Sequence, residues 1–464
     1  MAVEWTGVGP DLLLSLDRSD PQPLGRQLQI QLRDAIRSGR LDRGERLPAS
    51  RVLAAELGVS RGLVVDCYAQ LESEGYLRSV RGAGTQVAAG AGAPAPADAP
   101  TPHGPRLDVD FEYGLPELSS FPVRDWLWAM GVAARSATTL DLGDEPGLGA
   151  DGLREVLAAY LRRVRGSAAR PEGIVVCAGF RYGLNLVLRA LAVEGATTVA
   201  LEDPGPADHD EIVRRAGHTA VFVRVDEDGI DVAALARTPA RVAVVTPAHQ
   251  APTGVLLAPE RRQALVQWAE QVDGLIIEDD YDAEFRYDRA PVGSLHGLAP
   301  DRVIAISSVS KTLAPTVRLG WIVCPPHLRA AVGVEKHLLG RGAPGLDQLA
   351  LAALIESGRY DRHLRHMRAV YRRRRSVLVD ALARHAPHVE VSGLAAGCHA
   401  VLRLRPGSDE PAVVAACAAR SVGVYGMSRY RSEHRAEPPE LLVGFGNVSE
   451  TAIADGIARI ASLL

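Results

Sequence analysis

The chain has 464 residues, 47% of them apolar, enough to bury substantial cores and too many for one ordinary domain. A formal net charge of −4 excludes a uniformly basic nucleic-acid coat and leaves room for one local basic surface. Cys67, Cys177, Cys324, Cys398 and Cys417 are scattered without a CxxC pair, which argues against a disulfide framework or zinc site and for reduced thiols in a cytoplasmic protein.

DLLLSL near the start is too short and wrongly flanked for a signal peptide, and no apolar run approaches the ~20 residues of a membrane span, so the expectation is a soluble protein with no membrane partner. Leu24, Leu28, Leu32 and Ile36 then recur at helical spacing until Gly39. A short second helix follows LPAS, with Ser50 as its N-cap; Gly58 ends it, and Ser60 caps a third. That third helix places Val64, Cys67, Tyr68 and Leu71 on one face and leaves Arg61, Gly62 and Val65 elsewhere. YLRSVRGAGTQVA alternates about Gly82 and Gly84 as a β-hairpin does.

Helix, short helix, tight turn, helix and hairpin describe a winged helix-turn-helix over residues 15–87. Such a pair suits double-stranded DNA, because the second helix enters the major groove while the first crosses the backbone. Arg61 stands where side chains reach base edges; Ser50 and Arg51 stand at a helix N-terminus that favours a phosphate. Arg81 at the hairpin tip is placed for a second backbone or the minor groove. Ten arginines face seven acids between residues 21 and 90, a mildly basic segment of an acidic chain. The stretch LPASRVLAAELGVSRGLVVDCYAQLESEGYLRSVRGAGTQV resembles the GntR-family DNA-binding domain. The matches are Leu47-Pro48, Ser50-Arg51, Leu57-Gly58-Val59-Ser60-Arg61, Tyr68, Leu71, Glu74-Gly75 and the wing Gly82, Gly84-Thr85. Leu63 stands where that family usually has Thr, which implies a different operator preference.

Residues 88–106, a Pro/Ala/Gly mixture without apolar periodicity, are expected to be a linker. From 107 to 464 short apolar runs such as GIVVCA, TTVALED, RVAVVTPA, GLIIED and RVIAISS alternate with helical ones, predicting an α/β domain with a mostly parallel, doubly covered sheet. From about 384 the order changes, predicting a smaller α+β lobe formed mainly by 384–464.

Only two residues of the chain are lysine, Lys311 and Lys336, among 52 basic ones. An amine can lose its proton where a guanidinium cannot, as a lysine forming a Schiff base must. Pyridoxal phosphate also needs phosphate donors, an acid beside its ring nitrogen and a donor near its phenolate oxygen. Ser308, Ser310 and Arg318 follow the strand before Lys311, and Gly179, Phe180 and Arg181 open a helix with free backbone N–H groups. Asp279 and Tyr281 in GLIIEDDYDAEF supply the acid and the donor. EDDYD has no histidine at ligand spacing along the chain, so no metal is expected there.

PAHQAPTGV, EDDYDAEF and SSVSKTLAPTVRLGW, in that order, resemble fold-type I aminotransferases across roughly 107–464, and the whole chain resembles the MocR/GabR class of bacterial transcription regulators. The resemblance implies a head-to-tail homodimer, an aminotransferase-like effector sensor instead of an enzyme, Lys311 as the Schiff-base lysine, Asp279 at the ring nitrogen, Tyr281 at the phenolate oxygen, and Ser308, Ser310 and Arg318 at the phosphate. The effector is expected to be an amine or amino acid, or the vitamer itself. Three positions depart from the pattern: Pro206 replaces an aromatic residue that stacks on the cofactor ring, Leu442 replaces an arginine for a substrate carboxylate, and Leu142 replaces a tyrosine of a YGDP-like segment. A working aminotransferase and a regulator with a decayed cofactor site therefore stand as alternatives.

Overall fold

The computed structural model describes residues 14–80, 84–88, 107–143, 147–193, 195, 197–286, 292–340, 342–393, 396–432 and 439–464. The chain divides into two compact units, Met1–Pro105 and Arg106–Leu464.

In the first unit α1 (Leu24–Arg37), α2 (Ser50–Glu56) and α3 (Arg61–Ser73) precede an antiparallel hairpin of β1 (Leu77–Val80) and β2 (Gly84–Val87). Leu28, Leu32, Ile36, Leu53, Val64, Cys67, Leu71, Leu77 and Val87 close one core, so the face expected of α3 is the buried one. Gly58 at φ +62° lets the chain turn between α2 and α3, and the Ser60 hydroxyl accepts a hydrogen bond from the Leu63 N–H at 3.3 Å. Ser50 is not the N-cap of α2. The Ala49 carbonyl accepts from Val52 and Leu53, so Ala49 takes that place without a side-chain bond, and Ser50 is already helical. Arg81 and Gly82 lie outside the described residues, as do residues 89–106 of the expected linker.

The second unit is built on a sheet with the order β4 (Ile174–Cys177), β11 (Gly320–Val323), β10 (Val303–Ser308), β9 (Leu275–Asp280), β8 (Val242–Val245), β5 (Thr198–Asp203), β6 (Thr219–Asp226), β7 (Gly229–Ile230). The run β10, β9, β8, β5, β6 is parallel, while β11 is antiparallel to both neighbours. Alternate residues feed cores on the two faces: Ile277 and Ile304 on one, Ile276 and Val303 on the other. Both faces are covered, which is why these strands are apolar throughout. The C-terminal ends of β4, β5, β8, β9 and β10 share one edge, where open α/β sheets bind ligands.

Three long helices have no counterpart in the sequence reading: α4 (Val123–Ser136), α5 (Asp151–Arg165) and Arg359–His385. The small lobe carries a sheet ordered β12 (Glu390–Ser392), β13 (His399–Arg403), β16 (Glu440–Gly444), β15 (Tyr425–Gly426). It is not formed from the C-terminal segment alone. β3 (Val109–Asp110), at the start of this unit, pairs in parallel with β14 (Val422–Gly423).

Candidate functional site

The edge of β9 carries three consecutive acids, and the fold treats them differently. Strand alternation sends Glu278 and Asp280 to one face and Asp279 to the other. Glu278 accepts from the Ser294 hydroxyl at 2.5 Å and the Leu295 N–H at 3.0 Å. Asp280 forms a fully buried bidentate pair with Arg165, at 2.8 and 2.9 Å. Asp279 is buried too, but its Oδ1 has no hydrogen-bond partner among the described residues. Burial, reinforced by Asp280 and Asp282 and opposed by Lys311, pushes its carboxyl well above the ordinary carboxylate range. A buried acceptor without a donor costs about 1–3 kcal/mol, so this oxygen suits a proton-bearing ligand atom.

On the same edge of the sheet is a small cradle. Gly179, at φ +99°, precedes the helix α6 (Phe180–Val193), and a methyl group added to it would lie 3.9 Å from both the Arg318 Nη1 and the Ser310 Oγ. A helix N-terminus, a guanidinium and a hydroxyl thus converge on one space, a donor set for a phosphate or carboxylate. Gly320 permits the approach, since a Cβ there would sit 2.7 Å from the Ser307 carbonyl oxygen and 2.9 Å from the Gly179 Cα. Arg318 itself holds a left-handed backbone, φ +53°, at a cost of about 1–2 kcal/mol for a non-glycine residue. Ser308 Oγ accepts from the Ser310 N–H at 3.4 Å. The Arg181 side chain is paired with Asp208 and the Phe180 ring lies 5.4 Å from His209, so the contribution of both to the cradle is their backbone.

Lys311 Nζ donates to the Gly114 carbonyl. The Tyr281 hydroxyl lies 3.1 Å from His249 Nδ1, which is also 2.8 Å from Asp282 Oδ2. Burial raises the Tyr281 hydroxyl well above the usual phenol value, so the tyrosine keeps its proton. Tyr113 hydrogen-bonds to Tyr281 and meets His399 edge-on at 4.8 Å. His249, Asp282 and His399 place ligand atoms within 4.8 Å of one another. The sequence reading missed this because the histidines approach EDDYD through space, not along the chain. His249 and Asp282 bond each other, and burial keeps His399 neutral, its Nε2–H donating to the Pro252 carbonyl at 3.0 Å.

The departures find places as well. Leu442 is buried against Val401 and Met427. Arg431 is paired with Glu440 at 3.0 Å, and Arg429 lies over the Tyr425 ring at 5.3 Å. Leu142 is 65% exposed beside exposed Leu140. Pro206 lines a cavity of about 280 Å³ with Glu202 and Thr246.

In the first unit Arg51 and Arg61 are exposed at the starts of α2 and α3, and Ser50 is half-buried. The Ser60 hydroxyl is used as a cap, and Thr85 pairs with Ser79 while its carbonyl accepts from the Leu47 N–H at 2.9 Å.

Residues 136–435 match the family described as aminotransferase class I and II, and residues 24–87 match bacterial regulatory proteins of the gntR family. The chain is 34% identical to the HTH-type pyridoxine biosynthesis transcriptional regulator PdxR of Corynebacterium glutamicum, over 97% of this chain and 98% of that one. It is 32% identical to the "Probable rhizopine catabolism regulatory protein MocR" of Rhizobium meliloti, over 97% and 95%. An archaeal alanine:glyoxylate aminotransferase superposes on 78% of this chain and 91% of its own with a TM-score of 0.71 at 25% identity.

Proposed function

Because the chain belongs to the MocR-type transcription regulators, in which a gntR-family winged helix precedes an aminotransferase class I and II domain, we propose that it is a pyridoxal-phosphate-dependent regulator of this kind. The second unit senses an amine, an amino acid or the vitamer, and the first binds a double-stranded operator. The observation that carries the reading is the unpartnered Asp279 Oδ1 on the same sheet edge as Lys311 and the Gly179–Ser310–Arg318 cradle.

The residues present fit the cofactor. When bound, pyridoxal phosphate supplies an aldehyde that an amine can capture and a ring that draws electrons from the attached nitrogen. Arg318, Ser310, Ser308 and the backbone of Gly179, Phe180 and Arg181 would hold the phosphate. Asp279 would give up its proton to a ring nitrogen and hold it there, and Tyr281 would direct its hydroxyl proton to the phenolate oxygen. Lys311 would make the covalent attachment.

Sensing is favoured over turnover because Leu442, where an aminotransferase places a carboxylate clamp, is buried among apolar side chains, and orientation of the amino acid supplies much of such an enzyme's rate. Exposed Leu127, Leu140 and Leu142, two of them lining a cavity of about 1050 Å³, support a homodimer, with the head-to-tail arrangement as the family implies. Among the described residues no helix is long and apolar enough to cross a membrane.

Borohydride reduction of the pyridoxal-phosphate-treated protein should fix a pyridoxyl group on Lys311, and Lys311→Ala should lose the visible absorption of the Schiff base. An unmodified Lys311 would overturn the reading. Footprinting of the operator with and without pyridoxal phosphate and simple amines identifies the effector, and multiple turnover with amino donors and keto acids would replace regulator by enzyme.

A further inference from the structure

The second unit begins at Arg106, and only eight residues later its chain reaches the reactive amine. Gly114 takes φ +84° and passes so close to Lys311 that a Cβ on it would stand 3.2 Å from Nζ. On the way, the Phe111 N–H donates to the Gly423 carbonyl at 3.0 Å and the Phe111 carbonyl accepts from the Gly444 N–H at 3.0 Å. Beyond it, the Glu117 N–H donates to the Tyr371 hydroxyl at 3.1 Å. Tyr113, between these anchors, is tied to Tyr281 and lies against His399 and Tyr430, at 4.8 and 5.6 Å between ring centres. The entering segment is therefore both a wall of the site and the stretch by which the DNA reader is attached.

We propose that Tyr113–Gly114 is the element that transmits occupancy of the site toward the linker. The inference rests on the proposed function in that an aldehyde captures Lys311. In that condensation the amine nitrogen forms a C=N bond to the aldehyde carbon, and the carbonyl oxygen leaves as water with the two hydrogens of the neutral amine. An ammonium carries three donors; the product nitrogen carries at most one N–H, and only when protonated. The Gly114 carbonyl then loses its donor. The bond is half-buried, and an acceptor stripped of its partner there shifts a local equilibrium about 5- to 100-fold when neither water nor another group replaces the bond, enough to move Gly114 and the strand behind it. An effector amine that takes over the aldehyde frees Lys311, which can bond Gly114 again, so loading and effector exchange act on the segment with opposite sign.

Hydrogen exchange on the full chain tests this, with the Phe111 and Glu117 amides as reporters and the amides of β9 and β10 as internal controls for intact folding. Lys311→Met removes the donor without any ligand. It should speed exchange of the reporters about 5- to 100-fold while the controls stay protected, and it should bind the operator as the pyridoxal-phosphate-loaded wild type does. Lys311→Arg keeps a donor and cannot form the bond, so its reporters should match the ligand-free wild type and ignore pyridoxal phosphate. Unchanged reporters in folded Lys311→Met, or reporters in Lys311→Arg that respond to pyridoxal phosphate, would overturn the proposal. Borohydride labelling of the wild type, read separately, reports whether the cofactor attaches at all, so a failure of the functional reading is told apart from a failure of transmission.

Discussion

The Gly179–Ser310–Arg318 cradle can be tested by adding one methyl group. In Gly179→Ala the new Cβ lies 3.9 Å from Arg318 Nη1 and from Ser310 Oγ, an ordinary contact distance, so the ligand-free protein has room for it. Two costs separate cleanly. The backbone at φ +99° disfavours any L-residue by about 1–2 kcal/mol, which lowers the melting temperature. The methyl also enters the space that the phosphate of the proposed cofactor would take. If it denies the phosphate two charge-assisted hydrogen bonds of about 1.5–3 kcal/mol each, pyridoxal phosphate binds about 10²- to 10⁴-fold more weakly. Gly217→Ala is the matching control: φ is +92° and nothing lies within 4 Å of the added Cβ, so it carries the strain without the cradle. Both variants should melt earlier by similar amounts in thermal unfolding, and only Gly179→Ala should lose affinity in a titration read by the cofactor's visible absorption. Wild-type affinity in Gly179→Ala, or an equal loss in Gly217→Ala, refutes the assignment of the cradle.

Arg61→Ala should weaken operator binding by about 1–3 kcal/mol and relax sequence choice, measured by gel shift against operator variants at fixed salt; unchanged selectivity would remove α3 from the groove. Arg165→Met should destabilise the second unit by about 3–5 kcal/mol in denaturant titration, because it leaves the Asp280 carboxylate buried and unpaired beside Asp279. Burial raises the Glu202 carboxyl from 4.5 to about 7, against hydrogen bonds from Thr246 and Gln250. Between those values the folded state holds a proton that the unfolded chain releases, so stability falls as pH rises through this window and is level above it. Glu202→Gln lacks that loss and should gain on wild type by about 3 kcal/mol between pH 4 and pH 8; parallel pH profiles in thermal melts would contradict the burial argument.

The chain order of elements was legible where local signals are strong. In the first unit the 3.6-residue spacing of Leu28, Leu32 and Ile36, the glycine at 58 and the cap at Ser60 each fix a local conformation, and they agree with one another. In the second unit short apolar runs marked the central strands, because a strand covered on both faces must be apolar throughout. The motif order placed Lys311, Asp279 and Arg318 as candidates before any geometry was known. α4, α5 and the Arg359–His385 helix went unread; the last is rich in arginine, and polar His363 and Arg374 occupy buried positions of its inner face, which interrupts the apolar period.

What the sequence alone determined was the inventory: a gntR-type DNA-binding domain, a Pro/Ala/Gly-rich stretch after it, an α/β body and, in a chain with only two lysines, one of them inside the SSVSK motif. Only the tertiary structure decided which of three adjacent acids keeps a bare oxygen, since Arg165 and Ser294, which satisfy the other two, come from other parts of the chain. It also decided that His249 and His399 flank Asp282, that β3 belongs to the small lobe, and that the Gly114 carbonyl meets Lys311 across 197 residues. Local propensity is encoded within a few residues, whereas a hydrogen bond between distant segments exists only once the sheet has set their register.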